Sequence, residues 1–316
     1  MYVLVSPFSK TFDDIWLTYI VPEFLVSKIK IWQIIEIPIR EFIEIWVVLD
    51  IFDNPPWDYD ESKIKSIVSI KNENIFLSWY RVGLARWISS YYFTAIHNSI
   101  NLFFPKNLRD RILKDKIKST SDKKIEYSFN HKITLSEEQN TVLNNILSTK
   151  NKKILLYGLT GSGKTEIYIK LIKETLDKWK QTLFLIPEII LTNQLSNKIK
   201  DVFGENVYII NSTITDATKT KYWLEINNNN AKIIVGTRSA IFYPYNELWL
   251  IIIDEEHDNS YISDSAPRYN TIEVAEKITE LHWNKLVLAS WTPSIKSMYK
   301  WVKKEYEIVN LLKKYN

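Results

Sequence analysis

The segment Gly158-Leu-Thr-Gly161-Ser162-Gly163-Lys164-Thr165 matches the pattern G-x-x-x-x-G-K-[ST], a loop whose residue types suit a polyphosphate. Glycines at 158, 161 and 163 let backbone N–H groups, that of Ser162 among them, curl around anionic oxygens at a helix N-terminus. Unsatisfied donors and the helix dipole favour negative charge there. Lys164 then reaches the β- and γ-phosphates of ATP, and the Thr165 hydroxyl takes one position around Mg2+. Further along, Leu250-Ile-Ile-Ile-Asp254-Glu255-Glu256-His257 ends an apolar run in carboxylates. At the carboxyl edge of a parallel sheet, on the strand next to the one that feeds the loop, Asp254 holds the Mg2+ shell and Glu255 orients or deprotonates the attacking water. Lys164, Asp254 and Glu255 are therefore the catalytic candidates, and Thr165 and Asp254 the magnesium ligands. His257 reads either as a metal ligand or as a sensor linking the γ-phosphate to neighbouring motifs, and the sensor is favoured. The bland alternative, a chance Gly/Ser loop and a solvated acidic strand cap, fits the strand-loop-helix context less well.

Such a site needs a sheet to present it. Apolar runs at 154–157, 182–186, 207–210, 232–235, 250–253 and 285–289 read as strands, and 164–178, 191–203, 271–282 and 294–303 read as helices. Strands that are apolar throughout and alternate with helices imply a parallel sheet covered on both faces. Upstream, residues 1–68 read as short strands punctuated by Pro22, Pro38 and Pro55-Pro56, and 77–104 as a helical stretch with Leu84, Trp87, Ile88 and Tyr91 on one face. The stretch from Lys106 to Lys124 holds eight Lys or Arg against three Asp and reads as a solvated connector, with contact to DNA as the alternative. The expected organisation is a β-rich domain over 1–105, a basic linker over 106–130 and an α/β lobe over 131–316.

Composition bounds the reading. With 46% hydrophobic and 25% charged residues the chain is globular, and no apolar run is long enough for a membrane span, so a cytoplasmic location without a membrane partner is expected. There is no cysteine, which removes disulfides and thiolate metal sites. A net charge of +4 is too small to identify a nucleic-acid binder by itself.

Four further segments carry a resemblance: Pro187-Glu188-Ile-Ile-Leu-Thr192-Asn-Gln194, Gly236-Thr237-Arg238-Ser239-Ala-Ile-Phe242, Pro267-Arg268-Tyr269 and Ser290-Trp-Thr292-Pro293-Ser. With the Asp254-Glu-Glu-His box they resemble the superfamily 2 helicases and, more narrowly, the PriA (primosomal protein N′) family of replication-restart helicases. Trp32-Gln33 through Pro38-Ile-Arg40 and Leu84 through Tyr92 resemble that family's N-terminal DNA-binding domain. The resemblance implies a RecA-like P-loop motor lobe preceded by a small β-rich DNA-binding domain. It also implies ATP-driven 3′-to-5′ translocation on single-stranded DNA, binding of branched forks, and partners among primosome and single-strand-binding proteins. It places Thr192, Thr237, Arg238, Arg268 and Tyr269 against DNA, with the loop from Ser260 to Tyr269 coupling DNA contact to hydrolysis or serving structure alone. Gln139 becomes a candidate for the adenine.

Departures from the family pattern qualify this. The second motor lobe, with its arginine finger and zinc-binding cysteines, is not in this sequence, so truncation at the C-terminus is expected, with zinc only in the missing region. The alternative function is an ATP- and DNA-binding fragment without unwinding activity. The span from Pro105 to His131 is too short for a winged-helix domain, Asn211-Ser212 replaces a family His-Ser, and the basic residue expected after Tyr269 is not evident. Finally, the chain has 12 Trp against 6 Gly. Trp32, Trp46, Trp179 and Trp249 stand where the family has glycine, and Trp291 replaces a small residue. Glycine translated from UGA codons is the expectation at these positions, with genuine tryptophan as the alternative.

Overall fold

Runs of Val, Ile and Leu with no polar alternation lose their apolar surface to water unless both faces of their sheet are covered. The second half of the chain solves that problem with a seven-stranded parallel sheet in the order β12-β6-β11-β10-β7-β9-β8. In this computed structural model, described over residues 1–7, 16–55, 60–71, 79–114, 127, 129, 134–188, 193–204 and 207–314, the chain divides into two units, Met1–Ser119 and Thr120–Asn316.

The first unit is a five-stranded antiparallel sheet. Its elements run β1 (Tyr2–Pro7), β2 (Leu17–Ile20), α1 (Glu23–Val26), β3 (Ile34–Ile39), β4 (Phe42–Phe52) and β5 (Ser69–Ile70), followed by α2 (Trp79–Tyr91), α3 (Ile96–Leu102) and α4 (Lys106–Leu113). The eleven-residue β4 is the spine, paired with β1 on one side and β3 on the other. Val3, Val5, Ile35, Ile37, Trp46 and Val48 form its core. The part of the expected basic linker that begins at Lys106 is helical here, with Leu108 and Ile112 buried. Lys, Arg and Asp at the intervening positions masked that two-residue apolar stripe in the composition.

The second unit runs α5 (Glu137–Ser148), β6 (Lys153–Gly158), α6 (Lys164–Asp177), β7 (Gln181–Leu185), α7 (Asn193–Phe203), β8 (Val207–Ile210), α8 (Asp216–Asn227), β9 (Ile233–Gly236), β10 (Leu248–Ile253), α9 (Thr271–His282), β11 (Lys285–Ser290), α10 (Ile295–Val302) and β12 (Glu307–Leu311). All six strands expected from the sequence form, and β12 adds a seventh at the edge against β6. The α/β class is as expected. Leu156, Ile172, Phe184, Val235, Ile252 and Val287 are among the buried residues that fill the space between sheet and helices. No helix among the described residues is long and apolar enough to cross a membrane.

Helix ends show where the sequence is at odds with its backbone. Trp179, just past α6, has φ 59°, and Trp283, which caps α9, has φ 63°. Trp32, before β3, has φ 69° and is fully buried. That left-handed region is cheap only for glycine. Trp46 and Trp249 instead lie within β4 and β10, and Trp291 stacks on Tyr157 at 6.3 Å, so the backbone makes no such demand at these three positions.

Candidate nucleotide site and its coupled loops

The carboxyl ends of β6, β10 and β11 form one edge, and the chemistry gathers on it. Gly161 and Gly163 turn the loop after β6 at φ 77° and 80°, and Gly163 caps α6. Any side chain at 163 would also strike Gln139, since a Cβ there would lie 2.2 Å from Nε2. The Ser162 hydroxyl donates to the Leu159 carbonyl at 2.7 Å, closing the turn on itself.

Gln139 lies behind this loop. It is buried, and its Nε2 donates to the carbonyls of Ser162 (3.1 Å) and Gly163 (3.3 Å). Its Oε1 accepts from the Ser136 N–H at 2.9 Å in a capping box that starts α5. Both ends of the amide are thus engaged with the protein, and the residue expected to meet adenine braces the phosphate loop.

Lys164 opens α6. Its Nζ donates to the Gly158 carbonyl at 3.0 Å and lies 3.5 Å from Glu255 Oε1. This contact joins the phosphate loop to the acidic box. The strands that carry them, β6 and β10, are not the neighbours expected, because β11 stands between them. Strand order is set by how crossovers pack, which motif spacing does not encode. Thr165 follows in the first turn of α6, partly buried.

Asp254 is 9% exposed. Its Oδ1 accepts from the Tyr168 hydroxyl at 2.8 Å and from the Glu255 N–H at 3.1 Å. Burial raises the proton affinity of this carboxyl and the neighbouring Glu255 charge adds to that, while the Tyr168 hydrogen bond and Lys164 act the other way. Burial, then the Asp254 charge, hold the Tyr168 phenol far above its ordinary range, so it remains a donor. Tyr261 supports the same turn from below, donating to the carbonyls of Asp254 (2.6 Å) and Leu185 (3.2 Å). Neither contact is expected from the sequence, in which Tyr261 stands only within the coupling loop from Ser260 to Tyr269. The signal for Tyr168 was its place four residues after Lys164, on the same face of an amphipathic helix.

Glu255 takes φ 45°, a strained value for a residue other than glycine. The turn it makes sends successive side chains to different partners. His257 Nδ1 lies 2.7 Å from the Ser290 hydroxyl at the end of β11 and 3.6 Å from Glu255 Oε2. These contacts run from the acidic box to the end of the neighbouring strand.

The residues expected to face DNA lie in several different environments. Thr237 is buried and leads into a short turn of helix after β9. Arg238 Nη1 donates to the carbonyls of Ser260 (3.2 Å) and Ile262 (2.6 Å), and Nη2 lies 3.3 Å from Asp264. Tyr269 is only 4% exposed and packs edge-on against Phe242 at 4.8 Å, so the stacking face expected of it is turned inward. Its phenol is pushed up to about 12 by burial, against the pull of Arg238. Arg268 is exposed, and Thr192 lies outside the described residues. Arg238 and Tyr269 therefore bind the segment after β9 to the loop from Ser260 to Tyr269.

Comparison with known proteins follows the same division. A family model described as the res subunit of type III restriction enzymes matches residues 132–289, and one described as a 3′DNA-binding domain matches residues 4–105. The replication restart protein PriA of Rickettsia felis is 34% identical over 99% of this chain and 46% of its own length. That of Rickettsia prowazekii is 36% identical over 82% of this chain and 40% of its own length. That of Bacillus subtilis is 40% identical over 58% of this chain and 23% of its own length. The chain spans less than half the length of each of these relatives.

Proposed function

Because the chain belongs to the family of the replication restart protein PriA, we propose that it is the ATP- and DNA-binding portion of a 3′-to-5′ DNA helicase that acts at stalled forks. The observation that carries this is the 3.5 Å approach of Lys164 to Glu255, which puts a phosphate-binding loop and an acidic box on one sheet edge.

The residues present suit ATP and magnesium. Backbone N–H groups of the turn from Gly158 to Gly163 cradle the phosphates, and Lys164 neutralises charge on the β- and γ-oxygens. Thr165 and Asp254 are hard oxygen donors of the kind magnesium selects, and Asp254 is held in place by Tyr168. Magnesium, when bound, neutralises charge building on the phosphate oxygens. Glu255 orients the attacking water and accepts its proton, while Gln139 keeps the loop in shape.

The first unit supplies the grip on a DNA 3′ end, and Arg268 contacts the phosphate backbone. Thr192, Thr237, Arg238 and Tyr269 belong to the DNA-facing segments, with Arg238 and Tyr269 setting the shape of the loops. Branched and single-stranded DNA in the cytoplasm, and primosome and single-strand-binding proteins, are the partners this reading implies. One lobe binds and hydrolyses nucleotide, but stepping needs two nucleotide-gated bodies. The chain by itself is therefore expected to show DNA-stimulated ATP hydrolysis without strand separation. Measuring phosphate release with and without a forked DNA tests this. Hydrolysis in wild type that persists unchanged in both Lys164→Ala and Glu255→Gln would refute it.

A further inference from the structure

Glu256, the third acidic residue of the box, faces away from the nucleotide edge, is 2% exposed and has no part in the hydrolysis described above. Its Oε1 accepts from the Ser294 N–H at 2.6 Å, and its Oε2 accepts from the hydroxyls of Ser294 (3.1 Å) and Ser297 (3.0 Å). Its own N–H donates to the Ala289 carbonyl at 3.0 Å. Ser294 is the N-cap of α10 and accepts from the Ser297 N–H, so the carboxylate grips the first turn of that helix. A buried carboxylate that takes three donors from one helix start is tied to it more firmly than to any single partner. On the other side of the strained Glu255 turn, the side chains of Glu255 and Lys164 meet at the phosphate loop. The far side of α10 exposes Ile295 at 91%, Tyr299 at 58% and Val302 at 67%, spaced as one helical stripe.

We propose that Glu256 is a positioning residue that transmits the state of the nucleotide edge to α10: a change in the Glu255 turn rotates the Glu256 carboxylate and with it the first turn of the helix. This rests on the nucleotide-binding reading above. The test is amide hydrogen exchange at Ser297 and Met298, with and without a non-hydrolysable ATP analogue and Mg2+, alongside a binding titration of the same samples. In wild type the analogue slows exchange at these amides several-fold. In Glu256→Ala and in Ser294→Ala the analogue binds with unchanged affinity but the response at α10 is lost, and Glu256→Gln retains most of it. A response that survives in the alanine variants, or is missing from wild type with analogue bound, overturns the proposal. Failure of wild type to bind the analogue overturns the nucleotide reading on which it stands. Should Glu256→Ala not fold, Ser294→Ala decides.

A different observation concerns the backbone. Among the described residues, eight other than glycine have positive φ, and three of them are Trp, although Trp makes up 12 of 316 positions. Trp32 also buries an indole N–H with no hydrogen-bond partner, and Trp283 is 73% exposed, so neither side chain is fully matched to its surroundings. We infer that glycine is the residue at 32, 179 and 283 in the protein as its own cell makes it, from UGA codons read as glycine. Reading the gene tests this first: UGG at these positions overturns it. With UGA there, peptide mass spectrometry of the protein from its own cells must find glycine; tryptophan overturns it. Thermal melting gives a third check, with Trp283→Gly more stable than Trp283→Ala by a few degrees. Equal melting, or a preference for alanine, would show that position 283 does not require the left-handed conformation and would overturn the inference there.

Discussion

Two regions of the second unit were read from short motifs, and they differ in how directly motif became contact. At the edge formed by Gly158–Thr165 and Asp254–His257, the side chains named for chemistry converge, with Lys164 against Glu255 and Asp254 seated under Tyr168. In the region formed by Gly236–Phe242 and the loop from Ser260 to Tyr269, the side chains named for DNA hold the protein to itself, through Arg238 to two carbonyls and Tyr269 to Phe242. A phosphate cradle is made of consecutive backbone groups, so its function is local. A loop that must couple two events needs internal contacts before it can offer external ones.

The largest effect that would break this contrast is at Lys164. Lys164→Ala should weaken nucleotide binding by on the order of 10- to 100-fold, the scale of losing a charged hydrogen bond, in a fluorescent-analogue titration. An unchanged affinity would mean the convergence at the sheet edge is structural.

Asp254→Asn separates function from stability. The raised proton affinity of Asp254 makes its ionised form the strained one in the folded protein, a penalty present above the folded pKa and relieved as pH falls through it. The asparagine variant should therefore lose ATP hydrolysis yet melt a few degrees higher than wild type at neutral pH without nucleotide or magnesium. In wild type, hydrolysis needs the ionised carboxylate and should fall on acidification at a higher pH than an ordinary aspartate would impose. A pH-rate profile checks the sign.

Gly236→Ala probes the second region. Its Cβ would meet Ala240 Cβ and the Ile210 carbonyl oxygen, each at 2.7 Å, and neither can swing away. A loss of ~1–3 kcal/mol in denaturant unfolding is expected. Arg238 sharpens the comparison further. Arg238→Ala should cost ~1–2 kcal/mol, and Arg238→Lys should restore little of it, because one ammonium cannot span the two carbonyls and Asp264. If Arg238 instead bound only DNA phosphates, the melting temperature would stay put and lysine would suffice. The smallest effect, about 1 kcal/mol, is expected for Gln139→Ala, seen as weaker nucleotide binding through a looser loop.

How much was legible follows from the range of each interaction. The six strands announced themselves because each carries an unbroken apolar run of at least three residues, whereas β12, Glu307–Leu311, interrupts its pattern with Asn310 and went unseen. The helix in the expected linker was hidden because two buried residues, Leu108 and Ile112, are too few to stand out among charges. Left-handed Trp179 was legible as a helix-end position and Trp283 was not, although the backbone puts both in the same region.

By itself, the order of residues determined the phosphate loop, the acidic strand end and the α/β alternation, since each rests on neighbours in the chain. Tertiary structure alone decided that β11 separates the two catalytic strands, that Tyr168 and Tyr261 seat Asp254, that Gln139 braces the loop, and that Glu256 grips α10. Those contacts join residues dozens of positions apart, and their partners are chosen by how helices and strands pack rather than by any spacing along the chain.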